Sequence, residues 1–372
     1  MNLKYTSPAK DYSGYGEASR HDIGALVSAG VEVTTEIPQY VLEIGEFGRL
    51  GSLAQDLEER ELEYNIKILH VTPNVYGKYF EAGKYHIGRA FWETDRVPDD
   101  FAKALQAVDE IWTGSEFNAD AIRRAGVTKP IYIIPEAIDT DIDIDAIEPL
   151  NHASVDRFNF YSVFEWTERK NPTALLEAFW TEFKEEEKVG LVLKTYVDNF
   201  TPEKKREIRD YVKQIKKRLG LTDSYAPAFV YSGLLQRDEM YRFHKSFDCF
   251  VSAHRGEGWG IPQMEAMLMG KPIISTGCGG IHEYLTDKED AHLLPYNLIP
   301  VRANTRNQKW YAKNQNWADI DIMDLRKAMR EVYRNQVEAG LMGKKAQKTV
   351  KEKFSLPVVG KLMRERLKQI GR

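Results

Sequence analysis

Short apolar segments alternate with helical patterns along the whole chain, and this alternation restricts the possible folds more than any other feature. In the first half the strand pattern covers residues 66–71, 85–92, 110–113 and 131–134. The helix pattern covers 100–107 and 118–125, with Ser115 or Asn118 as the cap and Gly126 at the end. Strands and helices that alternate in this way predict parallel sheets covered by helices.

A second cycle follows an acidic stretch, 135–151, that is typical of a linker. Its predicted strands are 158–164, 190–195, 229–232, 249–252 and 272–275. Its predicted helices are 172–180, 203–219, 239–246, 262–269, 325–337 and 355–370. The 372 residues suit two domains of about 150–200 residues each. We predict an α/β protein with doubly wound domains at 1–150 and 151–355, facing across a cleft, and a C-terminal helix at 356–372 that packs toward the first domain.

Composition narrows the class of protein. Hydrophobic residues make up 42% and charged residues 29% of the chain, as in globular proteins. Cys249 and Cys278 form neither a disulfide framework nor a zinc ligand set, and the N-terminal residues lack the apolar core of a secretion signal. No apolar run approaches the roughly 20 residues of a membrane-spanning helix. We expect a cytoplasmic protein, with peripheral contact as the one form of membrane association open to it.

Charge is distributed unevenly between the two halves. Residues 1–150 contain 14 Lys/Arg and 27 Asp/Glu, a net charge of −13, whereas residues 151–372 contain 38 and 29, a net charge of +9. The acidic half is poorly suited to a nucleic-acid backbone or an anionic bilayer. The basic half suits a small polyanion such as a nucleoside diphosphate. The sequence therefore disfavours nucleic acid as a partner but leaves it open.

The stretch 252–275 is the most informative part of the sequence. A strand ending near Ser252 precedes a loop with three glycines and a helix with Pro262 in its first turn. Free N–H groups at such a helix N-terminus favour a diphosphate. Glu257 and Glu265, with seven residues between them, supply carboxylates that can accept hydrogen bonds from sugar and ribose hydroxyls. On spacing alone, a structural glycine loop and a surface glutamate explain the pattern equally well.

The same stretch resembles the E-x7-E signature of retaining GT-B glycosyltransferases, specifically family 4, the group 1 glycosyltransferases. The match includes EGWG, the IP pair, the EAM triplet and the G-x-P-I-I strand. The resemblance implies a GT-B fold of two Rossmann-like domains. It also implies that Glu257 contacts the transferred sugar, that Glu265 contacts the ribose, and that backbone amides between them hold sugar and diphosphate. These amides belong to Gly258, Trp259, Gly260 and Ile261.

A second segment, 165–179, ends a predicted strand and begins a helix. Its residues R-K-N-P-T-A-L-L-E-A-F resemble a segment of the family that begins R-K-N and ends L-L-x-A-F, which implies that Arg169 and Lys170 bind the donor phosphates and neutralise the leaving group. Without the resemblance, a solvated basic pair at a turn is the commoner explanation. Lys194, at the end of a strand, is either a further donor-binding residue or a surface lysine.

The first domain contributes other candidates for the cleft. Gly14 and Gly16 resemble the family's glycine-rich loop after the first strand, which implies close backbone approach to donor or acceptor. Arg20 follows on the same predicted helix, within reach of a phosphate. On local grounds a simple turn into a helix is equally compatible. Segments 108–117 and 131–139 also resemble the family, the second with Ala137 in place of the usual glycine.

The catalytic position in the first domain departs from the family pattern. Many family 4 members place a histidine at the end of a first-domain strand, where this chain has Trp92 and Glu93. We expect Glu93 to face the cleft, either as a hydrogen-bond acceptor for the sugar or as the base for the acceptor. His70, at the end of the preceding strand, is the alternative catalytic residue or a core histidine. His254 precedes the glutamate loop and is expected to shape it.

Taken with the resemblance, these residues predict a retaining glycosyltransferase that moves a hexose from a UDP- or GDP-sugar to a glycan-type acceptor. No D-x-D-type acidic pair ends a donor-site strand, so we expect neither a metal nor another cofactor. One alternative is a protein of the same fold that acts on a protein or nucleic-acid acceptor. Another is a non-transferase nucleotide-sugar enzyme such as an epimerase. A third is a binding protein with a degenerate site.

Overall fold

Two parallel sheets form the framework of the computed structural model, which describes residues 2–39, 41, 47–58, 60–152, 156–222, 225–302, 310–311 and 314–371. Within these ranges each sheet has six strands, and the orders are β2-β1-β3-β4-β5-β6 and β12-β11-β10-β7-β8-β9. The first sheet comprises β1 Asn2–Thr6, β2 Glu32–Glu36, β3 Ile66–Leu69, β4 Tyr85–Arg89, β5 Glu110–Thr113 and β6 Ile131–Ile133. The second comprises β7 Phe158–Glu165, β8 Val189–Tyr196, β9 Ala228–Tyr231, β10 Cys249–Ser252, β11 Ile273–Thr276 and β12 His292–Leu294.

Helices pack on these sheets. In the first half they are α1 Gly14–Ser28, α2 Gly48–Asp56, α3 Asp99–Leu105 and α4 Glu116–Arg124. In the second half they are α5 Pro172–Glu182, α6 Pro202–Arg218, α7 Arg237–Ser246, α8 Ile261–Leu268, α9 Ile322–Arg334, α10 Gln336–Lys353 and α11 Leu356–Ile370. A two-stranded antiparallel sheet, β13 Tyr296–Pro300 with β14 Asn316–Ile320, joins β12 to α9. The predicted α/β class with two doubly wound domains is confirmed.

Local chemistry explains where several elements begin. Ser115 caps α4, and its hydroxyl accepts a hydrogen bond from the N–H of Asn118 at 3.2 Å. Gln236 and Glu239 form a capping box at the start of α7, so this helix begins two residues before the predicted 239. Four of the described helices, α5, α6, α8 and α11, carry proline in the first turn, where the missing N–H has no intrahelical partner to lose.

The last helix belongs spatially to the first sheet. The apolar face of α11, which includes Leu356, Val359 and Met363, lies in the same buried cluster as Leu3 and Ile23. Arg366 of α11 forms an ion pair with Glu110 at the start of β5. The chain therefore crosses back to the first domain after completing the second.

Several predicted elements differ from the structure. The helix predicted at 325–337 is wrong at its end, because α9 stops at Arg334 and α10 begins at Gln336. The strand predicted at 85–92 ends at Arg89, and residues 90–92 continue toward the cleft without strand pairing. The prediction missed β1, β2, β12, α2, α10 and the β13–β14 hairpin. Among the described residues, no helix has the length and apolar character needed to cross a membrane.

Candidate active site

A cavity of about 400 Å³ lies between the carboxyl ends of the two sheets. This volume is in the range of small-molecule sites, and the position is where open α/β sheets bind ligands. Most of the residues predicted for the site line the cavity. They are Gly14, His70, Glu93, Arg169, Lys170, Lys194, Glu257, Gly258, Trp259, Gly260, Ile261 and Glu265. Arg20 also lines it, whereas Gly16 and His254 do not.

The glycine-rich loop after β10 meets the first domain closely. A Cβ built on Gly256 would lie 2.1 Å from the backbone oxygen of Glu93, so no larger residue fits between the two domains at this point. The loop then leads into α8, whose first N–H groups have no partner within the helix. The N-terminus of α1, with Ser13 and Gly14, also lines the cavity. Two helix N-termini thus contribute positive potential to one cavity.

Glu257 forms an ion pair with Lys170, and both side chains line the cavity. Burial alone would raise the pKa of Glu257, but Lys170 and Arg169 together lower it to about 2. Lys170 and Arg169 lie on the short 3₁₀ turn Glu168–Lys170 that connects β7 to α5. Glu257 is therefore a carboxylate at neutral pH, held in place by a cation.

Arg169 connects the glycine-rich loop to the first domain. Its Nη1 donates to the backbone oxygen of Gly256 at 2.8 Å, and its Nη2 lies 3.5 Å from Oε1 of Glu93. The predicted catalytic Glu93 is thus at the cleft, as expected, and its nearest cation comes from the opposite domain. Arg169 and Lys170 lie beside the carboxylates of Glu93 and Glu257, where they can also meet a phosphate.

Glu265 lies at the centre of a buried network. Its Oε1 is 2.5 Å from Nη2 of Arg237, and its Oε2 is 3.1 Å from Nε2 of His244. Arg237 also lies 3.1 Å from Glu17 of α1, so one guanidinium connects carboxylates of both domains. Burial alone would raise the pKa of Glu265, but Arg237 and His244 lower it. The carboxylate is ionised and oriented before any ligand arrives.

Lys194 lies at the end of β8, close to three aromatic residues of the cavity wall. Its Nζ is 5.2 Å from the centroid of the Phe200 ring and 5.8 Å from that of Tyr196, and Tyr12 of the first domain packs on both rings. The side chain is buried, and burial lowers its pKa to about 8. The prediction left open a surface lysine, and this alternative is wrong.

His70 is fully buried and reaches the cavity through one ring nitrogen. Tyr5 donates its hydroxyl hydrogen to Asp22 at 2.7 Å, and Nδ1 of His70 lies 2.8 Å from the same hydroxyl. Nδ1 therefore carries the hydrogen that is donated to Tyr5, and Nε2 is left as an acceptor. Nε2 has no hydrogen-bond partner among the described residues. Burial lowers the pKa of His70 to about 3, so the ring is neutral at physiological pH.

The other predicted residues, Gly16, Arg20 and His254, have structural roles. A Cβ on Gly16 would lie 2.1 Å from the backbone oxygen of Asp11, so this glycine permits packing at the start of α1 and does not line the cavity. Arg20 donates to the backbone oxygens of Ala9 and Asp11, at 2.8 Å each, and pairs with Glu17. His254, buried behind the loop, contacts Ser252 and the backbone oxygen of Cys278, which fits its expected shaping role.

Glu17, Arg237 and Glu136 are three charged residues of the cavity that the sequence did not single out. Glu17 lies within the 11–20 segment but was not singled out, and Arg237 lies just before the helix that was predicted to start at 239. Glu136 lies in the segment 131–139, which was used only as evidence of resemblance. All three line the cavity. No local pattern identifies Arg237, because its partners are more than 25 positions away in sequence. Within the described ranges, no group of three or more His, Cys, Asp or Glu is arranged to hold a metal ion.

Comparison with known proteins finds a family match within the second half of the chain. Residues 157–302 match the family model described as "Glycosyl transferases group 1". The chain is 28% identical over 122 residues to the alpha-monoglucosyldiacylglycerol synthase of Streptococcus pneumoniae, an overlap of 32% of this chain and 24% of that protein. The chain thus spans about a quarter of the length of that relative.

Solved structures share the arrangement of both domains. The HepE protein of Anabaena has a TM-score of 0.67 at 15% identity, covering 99% of this chain and 100% of that one. The sucrose-phosphate synthase of Thermosynechococcus elongatus has a TM-score of 0.71 at 15% identity, covering 100% and 99%. The predicted enzyme class, a glycosyltransferase, is confirmed at the level of the domain. The chain thus has the GT-B fold, and its residues 157–302 match the group 1 glycosyltransferase family model.

Proposed function

We propose that this protein is a retaining, metal-independent glycosyltransferase of family 4 that moves a hexose from a UDP- or GDP-sugar to a hydroxyl of a glycan-type acceptor. The observation that carries the proposal is the cavity in which ionised Glu257 and Glu265 meet two helix N-termini and several cations. Among the possible donor nucleotides, UDP is favoured because the Anabaena HepE structures contain UDP with glucose and UDP-glucose.

The diphosphate fits between the cationic groups of the second domain and the N-termini of α1 and α8. Arg169, Lys170 and Lys194 line this part of the cavity. Phosphate oxygens accept hydrogen bonds from backbone N–H groups at helix starts, where the helix dipole also favours negative charge. The same groups stabilise the charge that develops on the leaving diphosphate as its bond to the sugar breaks.

The two glutamates bind the remaining parts of the donor, which are the ribose and the hexose. Glu265 accepts hydrogen bonds from the ribose hydroxyls, since its carboxylate is fixed by Arg237 and His244 while lone pairs remain available. Glu257 accepts hydrogen bonds from the hexose, because it lies on the loop that faces Glu93 of the first domain. His70 presents a neutral Nε2 acceptor to the same space from below the sheet edge.

In the proposed reaction the bond between C1 of the hexose and the diphosphate oxygen breaks, and the acceptor oxygen bonds to C1 from the same face. The acceptor proton passes to the departing phosphate oxygen, so the products are the glycoside and the protonated nucleoside diphosphate. Catalysis then depends on positioning and charge neutralisation rather than on a protein nucleophile. Glu93 accepts a hydrogen bond from the sugar or from the incoming hydroxyl.

Thermal unfolding with a panel of UDP-, GDP- and ADP-sugars tests the proposal. A ligand present at 100 times its Kd stabilises the folded protein by about 2.7 kcal/mol, so the matching nucleotide sugar is expected to raise Tm by several degrees. Glu265→Ala is expected to abolish the shift. Glu365→Gln, which neutralises an exposed carboxylate on α11, is the matched control and should respond like the wild type. If no nucleotide sugar stabilises the wild type, the proposal is wrong.

The mechanism has a separate test. With the donor identified, the anomeric configuration of the product is read by NMR, and an inverted product would contradict the retaining assignment. Turnover after exhaustive treatment with EDTA should equal that of the untreated enzyme. A loss of activity that Mg²⁺ or Mn²⁺ restores would contradict metal independence.

A further inference from the structure

Glu136 is a buried carboxyl group that lines the cavity. It follows β6 in the first domain, and only 4% of its surface is exposed. Its Oε2 has no hydrogen-bond partner among the described residues. Buried polar groups in proteins are nearly always hydrogen-bonded, so a carboxyl oxygen left unpaired in a cavity wall indicates a partner that comes from a ligand.

The nearby cation is engaged elsewhere. Arg89 donates to both carboxylate oxygens of Asp22, at 2.8 and 3.2 Å, and to the backbone oxygens of Ile134 and Pro135. Its charge is therefore largely balanced by Asp22. Burial raises the pKa of Glu136 well above its usual value, Arg89 opposes this, and Asp22 and Glu257 add to the increase. A carboxyl group with a raised pKa takes up a proton more readily, and a protonated carboxyl both donates and accepts a hydrogen bond.

The neighbours of Glu136 determine which part of a donor it meets. Glu93 and His70 also line the cavity from the first domain, whereas Arg169, Lys170 and Lys194 line it from the second. The first-domain cation of the cavity, Arg20, is paired with Glu17. A diphosphate belongs with the cations. A hexose hydroxyl, which also donates and accepts, is the ligand group that satisfies a neutral carboxyl fully.

We propose that Glu136 hydrogen-bonds a hydroxyl of the transferred hexose and so selects which sugar the enzyme accepts. This inference rests on the proposed nucleotide-sugar transferase function. It adds to that function a sugar-reading residue in the first domain, opposite Glu257. A site built to pair with a hydroxyl discriminates strongly against sugars that lack it or point it elsewhere, because a buried polar group is then left unpaired.

Calorimetric binding of the free nucleoside diphosphate and of the nucleotide sugar tests this role with three variants. Glu136→Ala and Glu136→Met, the second matching the length of the side chain, should each weaken binding of the nucleotide sugar about tenfold and change binding of the nucleoside diphosphate less than twofold. Glu136→Gln keeps a donor and an acceptor, so its affinity for the nucleotide sugar should stay within about threefold of the wild type. Discrimination between donors that differ only at one hydroxyl should fall in the Ala and Met variants and persist in Gln.

Three results would overturn the assignment. The first is equal loss of affinity for nucleotide and nucleotide sugar, which indicates a general structural effect. The second is unchanged binding of the nucleotide sugar in both apolar variants. The third is a Glu136→Gln variant that binds the nucleotide sugar as weakly as Glu136→Ala does, which would indicate that binding requires a charged carboxylate. If the wild type binds no nucleotide sugar at all, the proposed function fails first, so the two failures are distinguishable.

Discussion

Lys194 illustrates how burial alone tunes a single residue. The side chain is surrounded by Tyr196 and Phe200, and burial brings its pKa down to about 8. A lysine with an ordinary pKa near 10.4 keeps its charge throughout the neutral range. Here the charge is lost within the range in which enzymes are usually assayed, which makes its contribution to donor binding measurable.

The ammonium of Lys194 attracts the diphosphate, so donor affinity should fall as pH rises through 8. With a pKa of about 8 the charged fraction falls from about 0.9 at pH 7 to about 0.1 at pH 9, and Kd for the nucleoside diphosphate should rise up to about tenfold. Lys194→Arg stays charged at pH 9, and its Kd should be nearly independent of pH over the same interval. Identical pH profiles for the two proteins would show that Lys194 does not contact the phosphates.

Substitutions of Glu257 and of Lys170 should affect the recognition of different parts of the donor. Glu257→Gln removes the carboxylate that faces the hexose, and kcat/KM should fall about 100-fold, or about 2.7 kcal/mol, while Kd for the nucleoside diphosphate stays within about threefold. Lys170→Met removes a cation and should weaken the binding of the nucleoside diphosphate itself. Steady-state kinetics and calorimetry on both variants check this, and equal effects on the nucleotide in the two variants would contradict the assignment.

The sequence indicated cavity residues where they lie in a short segment of recognisable composition, even when their partners are far along the chain, as Lys170 is from Glu257. Glu257, Glu265, Arg169 and Lys170 belong to two short segments whose composition is diagnostic, and all four line the cavity. Arg237 lies in a segment without a comparable local pattern. Glu136 lies in the segment 131–139, whose resemblance to the family assigned no role to this glutamate. Their surroundings are created by tertiary contacts with Glu17, Glu265 and Asp22, which no window of sequence contains.

At the scale of elements, the loop between β10 and α8 depends on a close approach to the first domain. The Cα of Gly256 faces the backbone oxygen of Glu93, with room for hydrogen only. Gly256→Ala should therefore displace the loop and the Arg169 contact to Gly256, lowering kcat/KM at least tenfold. Gly340→Ala on α10 is the matched control, because its Cβ meets open space, and activity should be unchanged. Full activity in Gly256→Ala would mean that the two domains are further apart in solution.

Strands that consist mainly of apolar residues were predicted with nearly correct bounds. Strands that mix apolar and polar residues were missed. Strands β7, β8 and β10 consist mainly of aliphatic and aromatic residues, and their predicted bounds lie within one residue of the structure. Strands β1, NLKYT, and β2, EVTTE, contain lysine, threonine and glutamate, so they lack the continuous apolar run of a buried strand. The break between α9 and α10 at Asn335 has neither glycine nor proline to mark it, which explains why one predicted helix crossed it.

At the scale of the whole molecule, the domains are connected by contacts as well as by the linker, and two of these contacts involve α11 and Arg237. The helix α11 returns to α1, and Gly360 allows this approach, since a Cβ there would lie 2.0 Å from the backbone oxygen of Ala25. The second contact is Arg237, which lies between Glu17 of the first domain and Glu265 of the second. The sequence predicted that two domains exist and that a cleft separates them. It could not predict the second contact, because ion pairs across a cleft depend on how the finished domains meet.

A double-mutant cycle on Glu17 and Arg237 tests whether the domains meet this way in solution. Both side chains are 13% exposed, so their ion pair is partly desolvated and is stronger than a surface pair. The cycle Glu17→Gln, Arg237→Met and the double variant should give a coupling free energy of about 1–2 kcal/mol in urea unfolding. The control cycle on Lys348 and Glu352, whose side chains are 73% and 61% exposed, should give less than about 0.5 kcal/mol. Coupling between Glu17 and Arg237 that is no larger than this control would mean that the bridge does not form and that the two domains meet differently at this point of the cleft.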